Sequence, residues 1–497
     1  MEFEMIAKTF QGLETVLATE LIDLGANNIQ IGRRMVSFTG DKELLYRANF
    51  QLRTAIKILK PIKHFRATSA DEVYSAVQEI EWTEYLTYET TFAVDSVVFS
   101  TEFRHSKFVA YKVKDAIVDQ MREKTGERPN ISVTNPDLQL HIHIAEYDCT
   151  LSLDSSGESL HRRGYRQESV EAPLNEVLAA GIIMLTGWKG QCDLIDPMCG
   201  SGTIPIEAAL IARGIAPGVY RKEYAFEKWS DFDQGLFDRI YEDDSNEHPF
   251  EHHIYGYDIN HNAVNIATNN VKAAGLSKEI TIAQQDFANF TQPVEKSILI
   301  TNPPYGERIS APDLLGLYKM IGNKLKHEFT GNEAWVLSYR EECFDQIGLK
   351  PSLRTPLYNG SLECEVRKYQ MFSGKFDDMR ASGGDIKTAQ ERRMMADRKR
   401  FKQHRDFKEK LEDDPRQRFT SKKDFKREEK PRDNKRREFK REDRQDFKRG
   451  DHRDDRRDFK RVDHRNDRRD FKRGNNKPFG KNKGNNNYDK NYYDDED

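Results

Sequence analysis

The sequence predicts an α/β protein with a mostly parallel, seven-stranded sheet, preceded by two smaller α+β units and followed by a tail that lacks a hydrophobic core. Residues 157–375 alternate short apolar strands with helical segments, the pattern of a parallel sheet covered by helices. Residues 1–65 and 66–156 combine strands and helices on a smaller scale, with a strand pair in each. Residues 376–497 contain almost no Val, Ile or Leu, so they cannot bury enough apolar surface to fold.

The first unit, residues 1–65, begins with a strand near residues 5–9. A helix follows and ends at Gly25, and its apolar residues recur at helical spacing, at Leu13, Val16, Leu17, Leu21 and Leu24. Alternating residues near 29–31 and 35–38 then predict a pair of strands.

The second unit, residues 66–156, has longer elements, predicted in the order helix 70–78, strand 91–100, basic helix 107–125 and strands 138–145 and 149–154. His141 and His143 share one face of the predicted strand 138–145, because side chains alternate along a strand. Two histidines at this spacing favour an ordinary strand face over a metal site.

The third region supplies the parallel sheet. Its strands are predicted at Asp193–Asp196, Ile254–Asp258, Ile280–Ala283, Ser297–Thr301 and Ala334–Ser338, with a final antiparallel hairpin over residues 354–372. An insertion at residues 213–252 separates the first helix from the second strand. It is rich in aromatic side chains, which favour a local hydrophobic cluster over a base-stacking platform: Tyr220, Phe226, Trp229, Phe232, Phe237 and Tyr241.

The formal net charge of −3 is unevenly distributed. Residues 381–497 hold 40 Lys or Arg and 28 Asp or Glu, whereas residues 1–380 hold 40 and 55. The tetrapeptide Asp-Phe-Lys-Arg recurs in the tail every twelve residues, starting at Asp446, Asp458 and Asp470. We therefore predict a disordered tail that contacts RNA phosphates through its charge, with a solubilising extension as the alternative.

Cysteine usage and hydropathy predict a cytoplasmic protein. The five cysteines are scattered and form no Cys-x-x-Cys pair, which argues against a zinc site or a disulfide framework: Cys149, Cys192, Cys199, Cys343 and Cys364. No apolar run approaches the roughly 20 residues that span a bilayer. The acidic start, Met1 to Glu4, does not resemble a signal peptide. We expect no membrane association and no metal.

A glycine-rich turn follows the first parallel strand, which ends at Asp196. The turn leads into a helix and consists of Cys199, Gly200, Ser201, Gly202 and Thr203. Glycines here allow a ligand to approach the backbone closely. A dinucleotide fold would require a third glycine and a phosphate-binding loop would require a Gly-Lys pair, and the turn has neither. A tight structural turn between strand and helix is the alternative.

Acidic residues follow the next two strands. Asp258 ends the second strand, before Ile259, and an acid at this position can accept hydrogen bonds from both hydroxyls of a ribose. Asp286 follows the third strand and could accept from an adenine amino group, with Phe287 packing nearby. Each acid taken singly is equally well explained as an ordinary loop residue.

The fourth strand runs into Asn302, Pro303, Pro304, Tyr305 and Gly306. An amine on an aromatic ring is a poor nucleophile because its lone pair is delocalised. The Asn302 side-chain oxygen and the Pro303 carbonyl can accept its two N–H bonds, the prolines hold these acceptors rigid, and Tyr305 can stack on the base. With the three upstream features, this motif predicts transfer of a methyl group from S-adenosylmethionine to the exocyclic amine of a base.

Longer strings resemble the RlmL family, the 23S ribosomal RNA guanine-N2 methyltransferases. They are Val113–Asp119, Leu160–Arg166, Asp196–Thr203, Asn302–Arg308 and Asn359–Cys364, and the resemblance covers about residues 1–372. It implies a ferredoxin-like domain and an RNA-binding THUMP domain before a Rossmann-like class I methyltransferase domain. It also implies that Asp258 holds the cofactor ribose, Asp286 its adenine amine and Asn302–Tyr305 the target base, with Pro173–Glu176 near the cofactor methionine. The expected partner is 23S ribosomal RNA.

The chain departs from the two-enzyme members of that family, whose second methyltransferase domain acts on guanine N7. The charged tail stands in its place, so the N7 activity is not carried over. Three alternatives remain: a guanine-N2 methyltransferase of tRNA, an adenine-N6 methylase of DNA, and a non-catalytic RNA-binding assembly factor. The complete motif set argues against the last, because a degenerate enzyme would usually have lost Asn302 or the cofactor acids.

Overall fold

A computed structural model describes residues 1–304, 306, 313–360 and 362–372, all within one compact unit that contains two sheets. The predictions for Tyr305 and for the tail at residues 376–497 lie outside the described residues. None of the helices in the described ranges is long and apolar enough to cross a membrane.

The first sheet has eight strands. They are β1 (Phe3–Lys8), β2 (Asn27–Gly32), β3 (Met35–Gly40), β4 (Lys57–Arg66), β5 (Thr91–Phe99), β6 (Asn130–Ile131), β7 (Leu138–Ala145) and β8 (Asp148–Asp154), in the order β2-β3-β1-β4-β8-β7-β5-β6. The two N-terminal units therefore share one sheet, because β4 pairs antiparallel with β1 on one side and with β8 on the other. β4 also crosses residue 65, where the sequence suggests a boundary between two units.

Helices accompany each half of this sheet. They are α1 (Glu14–Asp23), α2 (Lys42–Gln51), α3 (Ala70–Gln78) and α4 (Ser106–Thr125). Each half has its own hydrophobic core, the first built from β1, β3, α1 and α2, the second from β5, β7, β8, α3 and α4. Side chains cap two of the helices: Asp41 accepts from the Leu44 N–H at the start of α2, and Ser69 accepts from the Glu72 N–H at the start of α3.

The second sheet has seven strands. They are β9 (Asp193–Asp196), β10 (Ile254–Asp258), β11 (Ile280–Gln284), β12 (Ser297–Thr301), β13 (Glu333–Ser338), β14 (Leu353–Asn359) and β15 (Leu362–Gln370), in the order β11-β10-β9-β12-β13-β15-β14. β9 to β13 are parallel, and β15 is antiparallel to both of its neighbours. The predicted mostly parallel, seven-stranded sheet is confirmed. Its helices are α5 (Glu176–Thr186), α6 (Thr203–Arg213), α7 (Gln234–Tyr241), α8 (His261–Ala273), α9 (Leu314–Glu328) and α10 (Glu341–Ile347).

The aromatic insertion packs against the first sheet's domain. The Phe226 ring stacks on the Tyr46 ring of α2 with centroids 4.4 Å apart, and Phe237 meets Tyr46 and Phe50 edge-on. Trp229 contacts the cores of both halves of the eight-stranded sheet. The interpretation as a hydrophobic cluster is therefore confirmed, and the cluster joins the two sheets' domains.

A buried polar network joins the same domains. The Glu207 carboxylate of α6 is fully buried and accepts from the Tyr165 hydroxyl at 2.9 Å, with the Arg163 guanidinium 3.5 Å away. Arg163 also donates to the Arg53 carbonyl at 2.5 Å, and the Arg53 side chain donates to the Ile215 carbonyl beyond α6 at 2.7 Å. Burying a charge is costly unless it is paired and hydrogen-bonded, and the Glu207 Oε1 atom has both kinds of partner in Arg163 and Tyr165.

The two strand histidines occupy an ordinary position on β7. Burial, together with the nearby Lys8 and Lys57 ammonium groups, lowers the pKa of His141 to about 3. Among the residues that the structure describes, no group of three or more His, Cys, Asp or Glu side chains is arranged to hold a metal ion.

The network predicts a large stability effect for one carboxylate. Glu207→Ala leaves the Arg163 guanidinium buried without its counter-ion, so the free energy of unfolding should fall by about 3–5 kcal/mol. Urea unfolding followed by circular dichroism measures this loss. The control is Glu247→Ala, which removes a partly exposed ion pair with Arg213 and should cost less than about 1 kcal/mol. Equal losses in the two variants would contradict a structural role for the network.

Candidate active site

The predicted site residues meet at the carboxyl edge of the seven-stranded sheet. Asp196, Asp258, Asp286 and Asn302 follow or end β9, β10, β11 and β12, and these strands are neighbours and parallel. β9 lies between β10 and β12, so the strand order reverses at β9. Loops on either side of such a reversal leave in opposite directions and open a crevice, where ligands bind in α/β sheets.

The glycine-rich turn is tied to the end of β10. The Gly200 N–H donates to the Asp258 carboxylate at 3.0 Å, and the Cys199 N–H donates to the Tyr257 carbonyl at 2.8 Å. Gly200 and Gly202 have φ of +54° and +83°, in the left-handed region that other residues rarely adopt. A Cβ atom at Gly202 would also lie 3.3 Å from the Ala267 Cβ atom. The turn therefore requires glycine for its conformation and its close approach to α8.

Asp196 is a buried carboxyl beside this turn. It accepts from the Met198 N–H at 3.2 Å and is 1% exposed. Burial, with a smaller contribution from the Asp258 carboxylate, raises the pKa of Asp196 to about 7 against the opposing effect of the Met198 hydrogen bond. A carboxyl that is costly to ionise is typical of functional sites, where a charged ligand offsets the cost.

Asp258 and Ile259 lie at the rim. The Asp258 carboxylate holds the turn through Gly200 and accepts from the Asn260 N–H at 2.9 Å, yet it remains partly exposed and each oxygen has a second lone pair. The Ile259 side chain is 65% exposed. A ribose could bind the carboxylate while an adenine ring covers Ile259.

The Asp286 side chain lies partly exposed at the sheet edge, whereas the Phe287 side chain is buried. The partly exposed Asp286 carboxylate accepts from the Ala288 N–H at 2.9 Å, which fixes its orientation at the sheet edge. The Phe287 side chain is buried in the core beneath the edge, with its ring centroid 5.5 Å from that of Phe290 and 6.4 Å from that of Phe329. Phe287 therefore supports the loop through packing, and its ring does not stand at the surface where an adenine would lie.

The Asn302 side chain holds an unsatisfied acceptor at the site. Its Oδ1 atom is buried and has no hydrogen-bond partner among the described residues. A buried amide oxygen without a partner costs about 1–3 kcal/mol, so its retention suggests a ligand donor. Pro303 and Pro304 follow it directly and restrict the backbone that carries it. Asn302 can thus accept one N–H of an amine that is brought to the end of β12.

Arg166 is a residue at this site to which the sequence assigned no role. Its guanidinium donates to the Ser201 hydroxyl at 2.8 Å and the Thr203 hydroxyl at 2.9 Å. It also donates to the Glu176 carboxylate at 2.8 Å and the Leu174 carbonyl at 3.1 Å. Arg166 therefore clamps the glycine-rich turn to the start of α5. Its only signal in the sequence is its place in the string Leu160–Arg166.

These residues fit the expected cofactor. The turn needs two left-handed glycines, an oriented carboxylate stands at each of the next two strand ends, and Asn302 holds an acceptor without a partner. The Arg166 clamp also places the Pro173–Glu176 segment beside the turn, where the family resemblance puts the cofactor methionine.

Three family models match consecutive parts of the chain. Residues 4–59 match the RlmL ferredoxin-like domain, residues 67–154 the THUMP domain, and residues 163–368 an RMKL-like methyltransferase domain. The second sheet thus corresponds to a methyltransferase domain.

Individual relatives of this chain also carry methyltransferase names. A Synechocystis protein, provisionally named an RNA methyltransferase, is 37% identical over 74% of this chain and 96% of its own length. The ribosomal RNA large subunit methyltransferase K/L of Syntrophotalea carbinolica is 38% identical over 74% of this chain, and the match spans only 53% of its length. The crystal structure of SMU.472, provisionally named a methyltransferase and complexed with S-adenosylhomocysteine, superposes with a TM-score of 0.68 at 29% identity, covering 75% of this chain and 99% of its own.

The buried Asp196 carboxyl predicts opposite effects on stability and on cofactor binding. Its folded-state pKa of about 7 lies above the unfolded value, so its contribution to stability is complete below about pH 4 and is lost as the pH rises through 7. Asp196→Asn should therefore make the ligand-free protein more stable than wild type above pH 7, by at least about 1 kcal/mol. Its affinity for the positively charged S-adenosylmethionine should fall.

Thermal unfolding from pH 4 to 8 and calorimetric titration with S-adenosylmethionine measure the two effects. Asp193→Asn is the control, since Asp193 stands at the other end of β9 and accepts from the His253 N–H, away from the turn. A ligand-free Asp196→Asn protein that is less stable than wild type at pH 8 would contradict the prediction.

The Arg166 clamp predicts a selective loss of cofactor affinity. Arg166→Ala releases the turn from α5, so S-adenosylmethionine should bind more weakly by about 1.5–3 kcal/mol, the range for hydrogen bonds to charged groups. Arg166→Lys should recover part of this loss, and saturating cofactor should restore kcat. The control is Arg162→Ala, because Arg162 pairs on the surface with Glu158. A fall in kcat at saturating cofactor, with unchanged affinity, would mean that Arg166 does not act by positioning the turn.

Proposed function

The chain belongs to the family of methyltransferases that combine an RlmL ferredoxin-like domain, a THUMP domain and an RMKL-like methyltransferase domain, and on this basis we propose that it methylates guanine N2 in large-subunit ribosomal RNA. Its methyl donor is S-adenosylmethionine, as expected for this methyltransferase domain and for a fold whose relative SMU.472 holds the demethylated product.

The observation that carries the proposal is the unpartnered Asn302 Oδ1 atom. It is buried at the end of β12, next to the strand that leads into the glycine-rich turn. An amine donor is the complement of an amide oxygen that lacks a hydrogen bond. This position therefore supports the proposal that the methyl group is transferred to nitrogen.

The protein's contribution to the reaction is orientation. The bound cofactor supplies an electrophilic methyl group. Asn302 Oδ1 and the Pro303 carbonyl accept the two N–H bonds of the target amine, which aims its lone pair and favours the positive charge that develops on nitrogen. The rigid Pro303-Pro304 pair keeps these acceptors in place, so they need no reorganisation during the reaction.

Two observations support an RNA substrate. The THUMP domain shares one continuous sheet with the ferredoxin-like domain, which packs against the methyltransferase domain through the aromatic cluster. The K/L relatives are named for the large ribosomal RNA, although this chain spans only about half of their length. Guanine N2 is the proposed target because of the resemblance of the motif strings to the RlmL family. We also propose a cytoplasmic location, as expected from the scattered cysteines of the sequence.

Asn302→Ala tests the chemistry. S-adenosylmethionine should bind nearly as tightly as to wild type, whereas methyl transfer should fall by roughly 10²–10³, the scale for losing one preorganised polar contact at a reacting centre. The measurement is single-turnover methylation of ribosomal RNA from a strain that lacks the gene. The control is Asn323→Ala, an exposed asparagine of α9. Near-normal transfer by Asn302→Ala would contradict the mechanism.

Nucleoside mass spectrometry of the same strain tests the substrate. The deletion should remove N2-methylguanosine from large-subunit ribosomal RNA, and wild-type protein should restore it while Asn302→Ala should not. Loss of N2-methylguanosine from tRNA alone would favour the tRNA enzyme, and loss of N6-methyladenine from DNA would favour the adenine methylase. An unchanged set of modified nucleosides would favour the non-catalytic assembly factor.

A further inference from the structure

The end of β13 lies directly beside the loop that carries Asn302. β12 and β13 are parallel neighbours, with Thr301 opposite Val336. The residues that follow each strand therefore leave the sheet side by side, about 4.8 Å apart, the spacing of adjacent strands. Tyr339 and Arg340 are the first residues after β13, and neither has a role in the site described above.

The Arg340 guanidinium is held against this loop. Its Nε donates to the Tyr339 hydroxyl at 2.6 Å, and its Cζ atom lies 5.3 Å from the centre of the Tyr339 ring. A Cβ atom at Gly306 would lie 3.7 Å from Arg340 Cζ and 3.8 Å from Nη2. The guanidinium thus stands within contact distance of the backbone that follows the target-amine acceptors. Glu342 approaches its other terminal nitrogen, Nη1, at 3.5 Å.

Within the part of the chain that the structure describes, Arg340 remains available to a ligand. Its side chain is about one-third exposed, and the Glu342 carboxylate that approaches it is well exposed, so this ion pair contributes little. The fixed Nε hydrogen bond and the neighbouring ring orient the planar fork, which reduces the entropy lost when it binds. A preorganised arginine beside a base site is suited to two neighbouring acceptors.

Guanine offers those acceptors. Its O6 and N7 atoms accept both N–H bonds of an arginine fork, whereas adenine places an amino donor where guanine has O6. We propose that Arg340 recognises the O6/N7 edge of the target guanine and thereby excludes adenine from a motif whose amine acceptors suit either base. The proposal rests on the guanine-N2 function proposed above.

Base analogues test the contact. The probe is a short RNA fragment around the nucleotide that loses its methyl group in the deletion strain, with guanosine, 2-aminopurine riboside or 7-deazaguanosine at the target position. Both analogues keep the 2-amino group, but 2-aminopurine lacks O6 and 7-deazaguanosine lacks N7. On guanosine, Arg340→Ala should lower kcat/KM by about 5- to 150-fold, the range for a bidentate arginine–guanine pair. On the two analogues, Arg340→Ala should lower kcat/KM by a smaller factor, because the analogue already weakens the contact in the wild-type protein.

Two further variants separate recognition from charge and from folding. Arg340→Lys keeps the charge but not the fork, so it should not recover the preference for guanosine over 2-aminopurine. Arg354→Ala is the matched control. Arg354 is also an arginine paired to an acid of α10, Glu341, but it lies on β14, separated from β12 by β13 and β15. Its variant should retain the wild-type kcat/KM on all three RNAs, and Arg340→Ala should retain wild-type affinity for S-adenosylmethionine.

An equal loss by Arg340→Ala on all three RNAs would overturn the proposal, because the guanidinium would then contact a phosphate or merely support the loop. A preference for guanosine that Arg340→Lys retains in full would also overturn it. If the wild-type protein forms no N2-methylguanosine on the guanosine fragment, the proposed function itself fails, and that outcome is separate from a change in analogue preference.

Discussion

The adjacency of β9 and β12 is the constraint on which the rest of the site depends. These strands are far apart in the chain but neighbours in the sheet, so their carboxyl ends open a crevice. One wall of the crevice is the glycine-rich turn after β9, and the other is the Asn302 loop after β12. Neither wall would have a function alone, because methyl transfer requires the methyl donor and the target amine to be held within reach of each other. The strand order brings them together.

The chain stabilises this arrangement with groups that are expensive to bury. Asp196 and Glu207 are both buried, and burial raises the pKa of each carboxyl above its ordinary range. The Glu207 Oε1 atom pairs with Arg163 and accepts from the Tyr165 hydroxyl, which offsets part of the cost of burying the carboxylate. Asp196 has no arginine or lysine ion pair within the described residues, and its cost is consistent with a charged ligand in the crevice.

The two sheets act as parts of one body. The insertion after α6 places Phe226 and Phe237 against Tyr46 of α2, and Arg163 and Arg53 connect the same regions through backbone carbonyls. A substrate bound to the eight-stranded sheet would therefore be presented to the crevice in a restricted orientation. For the proposed RNA substrate, this division would separate binding of the RNA over a wide surface from placement of one base at short range.

The sequence by itself determined the parallel strands, the glycine-rich turn and the residues at the strand ends, because these depend on local signals: apolar runs, glycine positions and polar residues where strands stop. It did not reveal that β4 joins two units into one sheet, since strand alternation identifies a strand but not its partners. It suggested a site position for Phe287, whose ring the tertiary structure buries in the core. Arg166 and Arg340 acquire their roles only in the folded chain, because an arginine side chain is long and its contacts lie on elements remote in sequence or across a strand pair. Only the tertiary structure decides which oxygens or loops such a side chain meets.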